Sequence, residues 1–164
     1  MEKFCFLALA APMLLGGCVT VTVDSVFGES DAPLSAVALQ ALQTREFEAT
    51  EDEAFRAVIS TFQDYGYTIS SADKTTGLVL GKTTSDASFS RMSGIVRVEY
   101  NKASAFIEKV AQNRVKIRVS IVKYVSARTE LGGGGEKEVV RTKPQMYQDI
   151  FNKIEQSLFL KKNI

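Results

Sequence analysis

Two hydrophobic periods alternate along this chain. In "TEDEAFRAVISTFQDYG" the apolar residues Phe55, Val58, Ile59 and Phe62 recur at i, i+3, i+4 and i+7, the spacing of one stripe on an α-helix. Thr50 and Glu53 precede it as a capping box, in which the threonine oxygen accepts from the Glu53 amide and the carboxylate reaches back to the Thr50 amide. Glu51, Asp52 and Glu53 suit the positive end of the helix dipole, and Gly66 suits the left-handed residue past the helix end. The period then drops to two. "YGYTISSAD" places Tyr67, Ile69 and Ser71 in one phase, "TTGLVLGKTTS" holds a short apolar run, and "SGIVRVEYNK" alternates Val96, Val98 and Tyr100 against Arg97 and Glu99. "NRVKIRVSIVKYVSAR" alternates Val115, Ile117, Val119 and Ile121 against Lys116, Arg118 and Ser120. These are antiparallel strands with one wet face.

Connections follow from the breakers. Asp73–Gly77 is a hairpin connection, and the change of phase at Val122-Lys123 predicts a β-bulge. Residues 103–111 fit either a strand continuation or a loop. Upstream, "LQTREFEAT" predicts a strand with Leu42, Thr44 and Glu46 on one side and Arg45 and Phe47 on the other, an inward phase the pattern leaves open. Gly132–Gly135 predicts a flexible hairpin loop, since four glycines are costly to order. Pro144 opens a second helix whose stripe is Tyr147, Ile150, Phe151, Ile154 and Leu158. The order strand, helix, strands, helix predicts an α+β fold, an antiparallel sheet of about four to six strands with two helices packed on one face.

The N-terminus follows a different logic. Lys3, an apolar run from Phe4 to Leu15 and the Gly16-Gly17 pair form a secretory signal. The run, broken by Pro12, is shorter than the roughly 20 residues of a membrane-spanning helix. Leu15-Gly16-Gly17-Cys18 resembles the lipobox of bacterial lipoproteins. The resemblance implies that Cys18 receives a diacylglyceryl group on its sulfur and becomes the first residue of the mature chain. The other cysteine, Cys5, lies in the removed segment, so Cys18 has no disulfide partner. More than one acyl chain on Cys18 makes the attachment lasting. In that family an aspartate after the cysteine marks retention at the inner membrane. Val19 stands there instead, which implies a lipid anchor in the outer membrane with the body in the periplasm.

Removing 17 of 164 residues leaves 147 with a net charge near +1, enough for one domain with a real core. Residues 18–38 are expected to be the lipidated N-terminus and a tether, with the Val-Thr alternation through Val23 forming one edge strand, and 39–164 the single domain. Near-neutrality gives no electrostatic case for nucleic acid. The charge is nonetheless uneven: eight acids against Arg45 between Asp24 and Glu53, eight bases against Glu99 and Glu108 between Arg97 and Arg128. With Val115 to Ile121 facing the helices, Lys116 and Arg118 point outward. If Arg97 points the same way, the open face carries a basic stripe, either simply solvated or a docking surface for an anionic partner.

Chemistry is sparse. The chain has no histidine, which removes Ser-His-Asp and Cys-His arrangements and the commonest zinc ligand. Gly77-Leu78-Val79-Leu80-Gly81-Lys82-Thr83 is one residue short of phosphate-loop spacing. Leu78–Leu80 reads as the strand itself, however, and no helical pattern follows to aim amides at an anion. Glu46 with Glu48 and Asp52 with Glu53 are explained as solvated or capping residues. No cofactor and no metal site are expected.

In element order the chain resembles the helix-grip domains of the BamC lipoprotein of outer-membrane assembly. Asp64-Tyr65-Gly66-Tyr67 with Gly77-Leu78 is similar to a pattern in small bacterial lipoproteins. The resemblance implies fold and compartment more than activity. Three classes of function follow: a non-enzymatic scaffold or accessory subunit of a cell-envelope assembly, with an envelope protein as partner; a carrier of an apolar ligand between sheet and helices; and a hydrolase using paired carboxylates or a Ser-Lys pair.

Overall fold

The computed structural model describes residues 34–129 and 132–162. Cys18, the signal segment and the Val-Thr alternation lie outside the described residues. The elements are α1 (Ala36–Gln43), β1 (Thr44–Phe47), α2 (Glu51–Asp64), β2 (Thr68–Asp73), β3 (Leu78–Lys82), β4 (Asp86–Ser90), β5 (Ile95–Ala111), β6 (Arg114–Thr129), β7 (Gly134–Val140) and α3 (Pro144–Lys162). All seven strands belong to one antiparallel sheet, and the molecule is α+β. Among the described residues, three helices and seven strands exceed the two helices and about four to six strands expected from the pattern.

The centre is one long hairpin. Its strands, β5 and β6, have 17 and 16 residues, about 50 Å of extended chain. The near half is flanked by β1 on β6 and by β3, then β2, on β5. The far half is flanked by β4 on β5 and by β7 on β6. Helices α2 and α3 pack together against the near half. Val115, Ile117, Val119 and Ile121 are 0–1% exposed on that face, and cross-strand from the last three stand Ile107, Ala105 and Ala103, also buried. Each fully buried Val or Ile is worth roughly 1.5–3 kcal/mol, so this row fixes which face the helices cover.

The helix caps are as expected. Thr50 and Glu53 form the capping box, with Thr50 N–H donating to Glu53 Oε2 at 2.8 Å. Gly66 takes φ +78°. On α2 the buried stripe is Ala54, Ala57, Val58, Thr61 and Phe62. Phe55 and Ile59 are only partly buried against the core, because the helix also meets α3 and presents its small residues inward. All five expected stripe residues of α3 are buried.

Several expectations are corrected. The first described element is a helix: Ser35 accepts from the Ala38 amide and starts α1, so residues 36–38 of the expected tether are helical and Leu42 belongs to the helix. Apart from Val37, "AVALQALQ" is made of strong helix formers. The strand that follows puts Arg45 and Phe47 on the helix-covered face, paired with Ile117 and Val115. Residues 103–111 continue β5. The bulge expected at Val122-Lys123 is absent: the β5/β6 register runs unbroken from Ile95↔Thr129 to Lys109↔Val115 and shifts only between Lys109 and Ala111. The pattern changes at Val122 because the surroundings change, as β7 pairs from there onward and the helices end, while the phase persists. Half of the glycine run is strand. Gly134 and Gly135 pair with Arg128 and Ala127, and a Cβ on Gly134 would meet the Ala127 carbonyl oxygen. The hairpin at Asp73–Gly77 forms as read. Gly77 there has φ +70°, accepts from Ile107 N–H through its own carbonyl, and leaves no room for a Cβ against the Ile107 carbonyl.

Candidate functional site

Residues directly opposite in an antiparallel sheet share a face, so the register sorts the expected basic residues. Lys116 pairs with Glu108 and Arg118 with Phe106 on the face away from the helices. Arg97 pairs with Ala127, which shares the phase of Ile121. It therefore lies on the helix-side face of the far half, opposite to Lys116 and Arg118. There it joins Glu99 at 3.3 Å, which also holds Lys123 at 2.7 Å. The expected three-residue stripe is not one surface, because Arg97 is an odd number of residues from the even-numbered row on its own strand.

The face away from the helices is uncovered: from Phe106/Arg118 to Val96/Arg128 every even-numbered β5 and β6 residue is half-buried or exposed. Its charges are largely compensated. Lys116 pairs with Glu108, Lys102 with Glu138 at 2.9 Å, and Arg128 with Glu136 at 3.8 Å. Such exposed pairs contribute about 0–1 kcal/mol each, but they cancel most of the positive field that the basic residues suggest. Two cations escape. Arg118 has the neutral Gln43 amide oxygen at 3.4 Å as its polar partner, and Lys82 has no ion pair among the described residues.

Beside Lys82 runs a shallow trough of about 350 Å³, lined by Leu80, Ser104, Ser120 and Val122 together with the ion-paired Lys102 and Glu138. It exists because the central cross-strand pair is Ser104 and Ser120, small side chains between larger rows. The next cross-strand row on this face to one side of Ser104 and Ser120 is Phe106, 47% exposed, with Arg118. To the other side, beyond Lys102 and Val122, comes the Tyr100–Tyr124 pair, with ring centroids 4.6 Å apart and the Lys102 ammonium 5.3 Å from the Tyr124 ring. The Glu138 carboxylate beside Lys102 raises the lysine's pKa. Interaction with the Glu136 carboxylate, then desolvation, pushes the Tyr124 hydroxyl up to about 12. This face carries aromatic and aliphatic surface, hydroxyls and uncompensated cations.

The acidic residues considered for catalysis are spread out. Glu53 closes the capping box. Asp52 is held by Lys74 and Arg56, and its carboxyl lies below the ordinary range chiefly through the Lys74 hydrogen bond. Glu46 lies on the open face opposite Lys116. Glu48 and Glu53 do line an open hollow of about 630 Å³ with Thr50 and Arg114, but its threonine and Glu53 are the helix cap. Among the described residues no three His, Cys, Asp or Glu side chains gather as metal ligands, and no helix is long and apolar enough to cross a membrane. Leu78–Lys82 is a strand followed by strand β4, as read. Sequence reasoning missed Lys82, Phe106 and the tyrosine pair as one surface; the even-numbered positions of "VRVEYNKASAF" were the available signal, once that stretch is one strand. Neither a protein-family model nor a curated protein matches the chain.

Proposed function

We propose that this protein is a lipoprotein anchored through Cys18 in the outer membrane, facing the periplasm. It serves as a non-enzymatic scaffold or accessory subunit of a cell-envelope assembly and docks an acidic partner protein on the uncovered face of its sheet. The supporting observation is the contrast between the two faces. Behind β6, Val115, Ile117, Val119 and Ile121 are sealed under helices, while on the other side Phe106 stays 47% exposed beside Arg118 with no carboxylate to neutralise it. The lipobox residues Leu15–Cys18 support the anchor. A carrier role for an apolar ligand between sheet and helices finds less support, since Phe62, Ile117, Ile121, Tyr147 and Ile154 fill that layer at 0–1% exposure.

Affinity capture with the intact, lipidated protein tests the reading. Wild type should recover an envelope protein with a yield that falls as salt rises. Phe106→Glu with Arg118→Glu should keep its melting temperature and lose that protein. Unchanged capture by a folded double variant would reject the open face as the docking surface.

A further inference from the structure

Strand β4, "DASFS", borders the far half of the sheet, and among the described residues it pairs with β5 alone. All five of its residues are exposed, Phe89 by 53%. The other edge strands are guarded against pairing with a stranger. β2 is irregular between Ile69 and Ser71, β7 carries Glu136, Lys137 and Glu138, and β1 is four residues long. β4 has no bulge, proline or lysine, and its one charge, Asp86, stands at its start.

The direction of its main-chain groups follows from β5. Thr83 N–H donates to the Asn101 carbonyl and Ile107 N–H to the Gly77 carbonyl, each at 2.9 Å, so odd-numbered residues of β5 turn their main-chain groups toward the side of β3 and β4. Ile95, Arg97 and Glu99 therefore bond Ser90, Ser88 and Asp86, their partners in register. Ala87 and Phe89, opposite Val98 and Val96, direct N–H and C=O away from the sheet. A second β4, antiparallel and centred on Ser88, answers all of these groups: Ala87 exchanges both bonds with the partner's Phe89, and Phe89 with the partner's Ala87. The same register sets Asp86 opposite the partner's Ser90, so no like charges meet, and lays each exposed Phe89 ring beside a small alanine on the open face. Space allows it. β2 reaches only the level of Lys82, which is opposite Lys102, whereas Asp86 is opposite Glu99, leaving about 10 Å of open column before β4 begins.

We propose that two copies of this chain pair through β4 in a two-fold dimer, their sheets joined edge to edge. Opposed residues share a face, so both helix layers lie on one side and both open faces on the other. The dimer thus leaves the docking face proposed above uncovered and presents it twice. One short strand pair is a smaller contact than the roughly 1,200–2,000 Å² of stable complexes, so the dimer is reversible and a disulfide is needed to trap it.

The test is Ser88→Cys in the full-length chain under mild oxidation, with yield counted above that of the wild-type chain, which holds Cys5 and Cys18. Ser88 meets its own copy on the two-fold axis in a non-hydrogen-bonded pair, where Cα atoms stand about 4.5 Å apart, within the span of a disulfide. Covalent dimer should form at about ten times the yield from Val37→Cys, whose position on α1 is 78% exposed. Ala87→Pro removes an outward N–H and none that β5 uses, so it should keep the melting temperature and cut the Ser88→Cys dimer about tenfold. Phe89→Lys, which puts a lysine on the bare edge, should have the same effect and serves if the proline variant does not fold. A Ser88→Cys yield no higher than that of Val37→Cys, or one undiminished in a folded Ala87→Pro or Phe89→Lys variant, would overturn the proposal. So would a crosslink from position 88 to a different protein. None of these readouts needs the acidic partner, so failure of capture leaves the dimer result standing, and failure of the dimer leaves the capture result standing.

Discussion

The side-chain amide of Gln43 donates to the hydroxyl of Tyr147 at 3.4 Å, joining residues 104 positions apart. The same hydroxyl donates to the Arg141 carbonyl at 2.8 Å and accepts from Ile121 N–H at 3.4 Å. One phenol thereby ties α1, β6, the end of β7 and α3 together where β6 lacks a strand neighbour. Gln43 and Tyr147 are 2% and 0% exposed, so neither group has water to fall back on.

Tyr147→Phe should destabilise the domain by about 1–3 kcal/mol, the cost of leaving buried polar groups without a partner. Chemical denaturation measures it, with Tyr65→Phe, whose ring is 43% exposed, as the near-neutral comparison. Equal losses for the two would show that the hydroxyl network carries no stability.

The glycines should divide by environment. Gly77→Ala, with φ +70° and a Cβ driven into the Ile107 carbonyl, should cost about 2–4 kcal/mol. Gly134→Ala, blocked by the Ala127 carbonyl, should also be costly. Gly132→Ala meets nothing within 4 Å and should cost only its left-handed backbone, about 1–2 kcal/mol. Melting temperatures that rank Gly132→Ala worst would contradict the packing at the other two.

Thr50→Ala should remove about 1 kcal/mol, and Glu53→Ala less, since Thr50 Oγ1 still accepts from the residue 53 amide. Helix content against urea for the two variants checks the order.

Tyr124 should ionise near 12, held protonated first by its interaction with the Glu136 carboxylate. Because the folded value is raised, this contribution to stability is complete below about pH 10 and is lost as pH climbs toward 12. Burial also raises the Tyr65 and Tyr67 hydroxyls, so phenolate absorbance should show several late-titrating tyrosines, and Glu136→Gln should bring the Tyr124 step down. Late steps unchanged in that variant would assign the Tyr124 shift to another cause.

Cys18→Ser should leave the precursor unprocessed or send the protein out of the membrane fraction. Mass spectrometry of both fractions decides the matter. Wild-type protein recovered soluble with an unmodified Cys18 would remove the anchor from the proposal.

Local physics alone carried much of this fold. The box at Thr50 and Glu53, the stripe from Tyr147 to Leu158, the hairpin at Asp73–Gly77 and the in-and-out alternation of Val115–Ile121 each depend on residues within a turn or two of one another, so spacing suffices to read them. The lipobox resemblance also rests on neighbouring residues, which lie outside the described structure. Tertiary structure decided what depends on pairing. Arg97 shares its strand with Phe106 but faces the other way, because a strand's face is set by parity along an unbroken register, and the unbroken run through 103–111 was not fixed by local pattern. The bulge at Val122 vanished because β7 and the end of the helices, both distant in sequence, changed what each face meets. Compensation was also a tertiary fact: Glu108, Glu136 and Glu138 neutralise their cations across strands, leaving Arg118 and Lys82, on different strands and 36 residues apart, as the uncompensated charges nearest the Ser104–Ser120 pair.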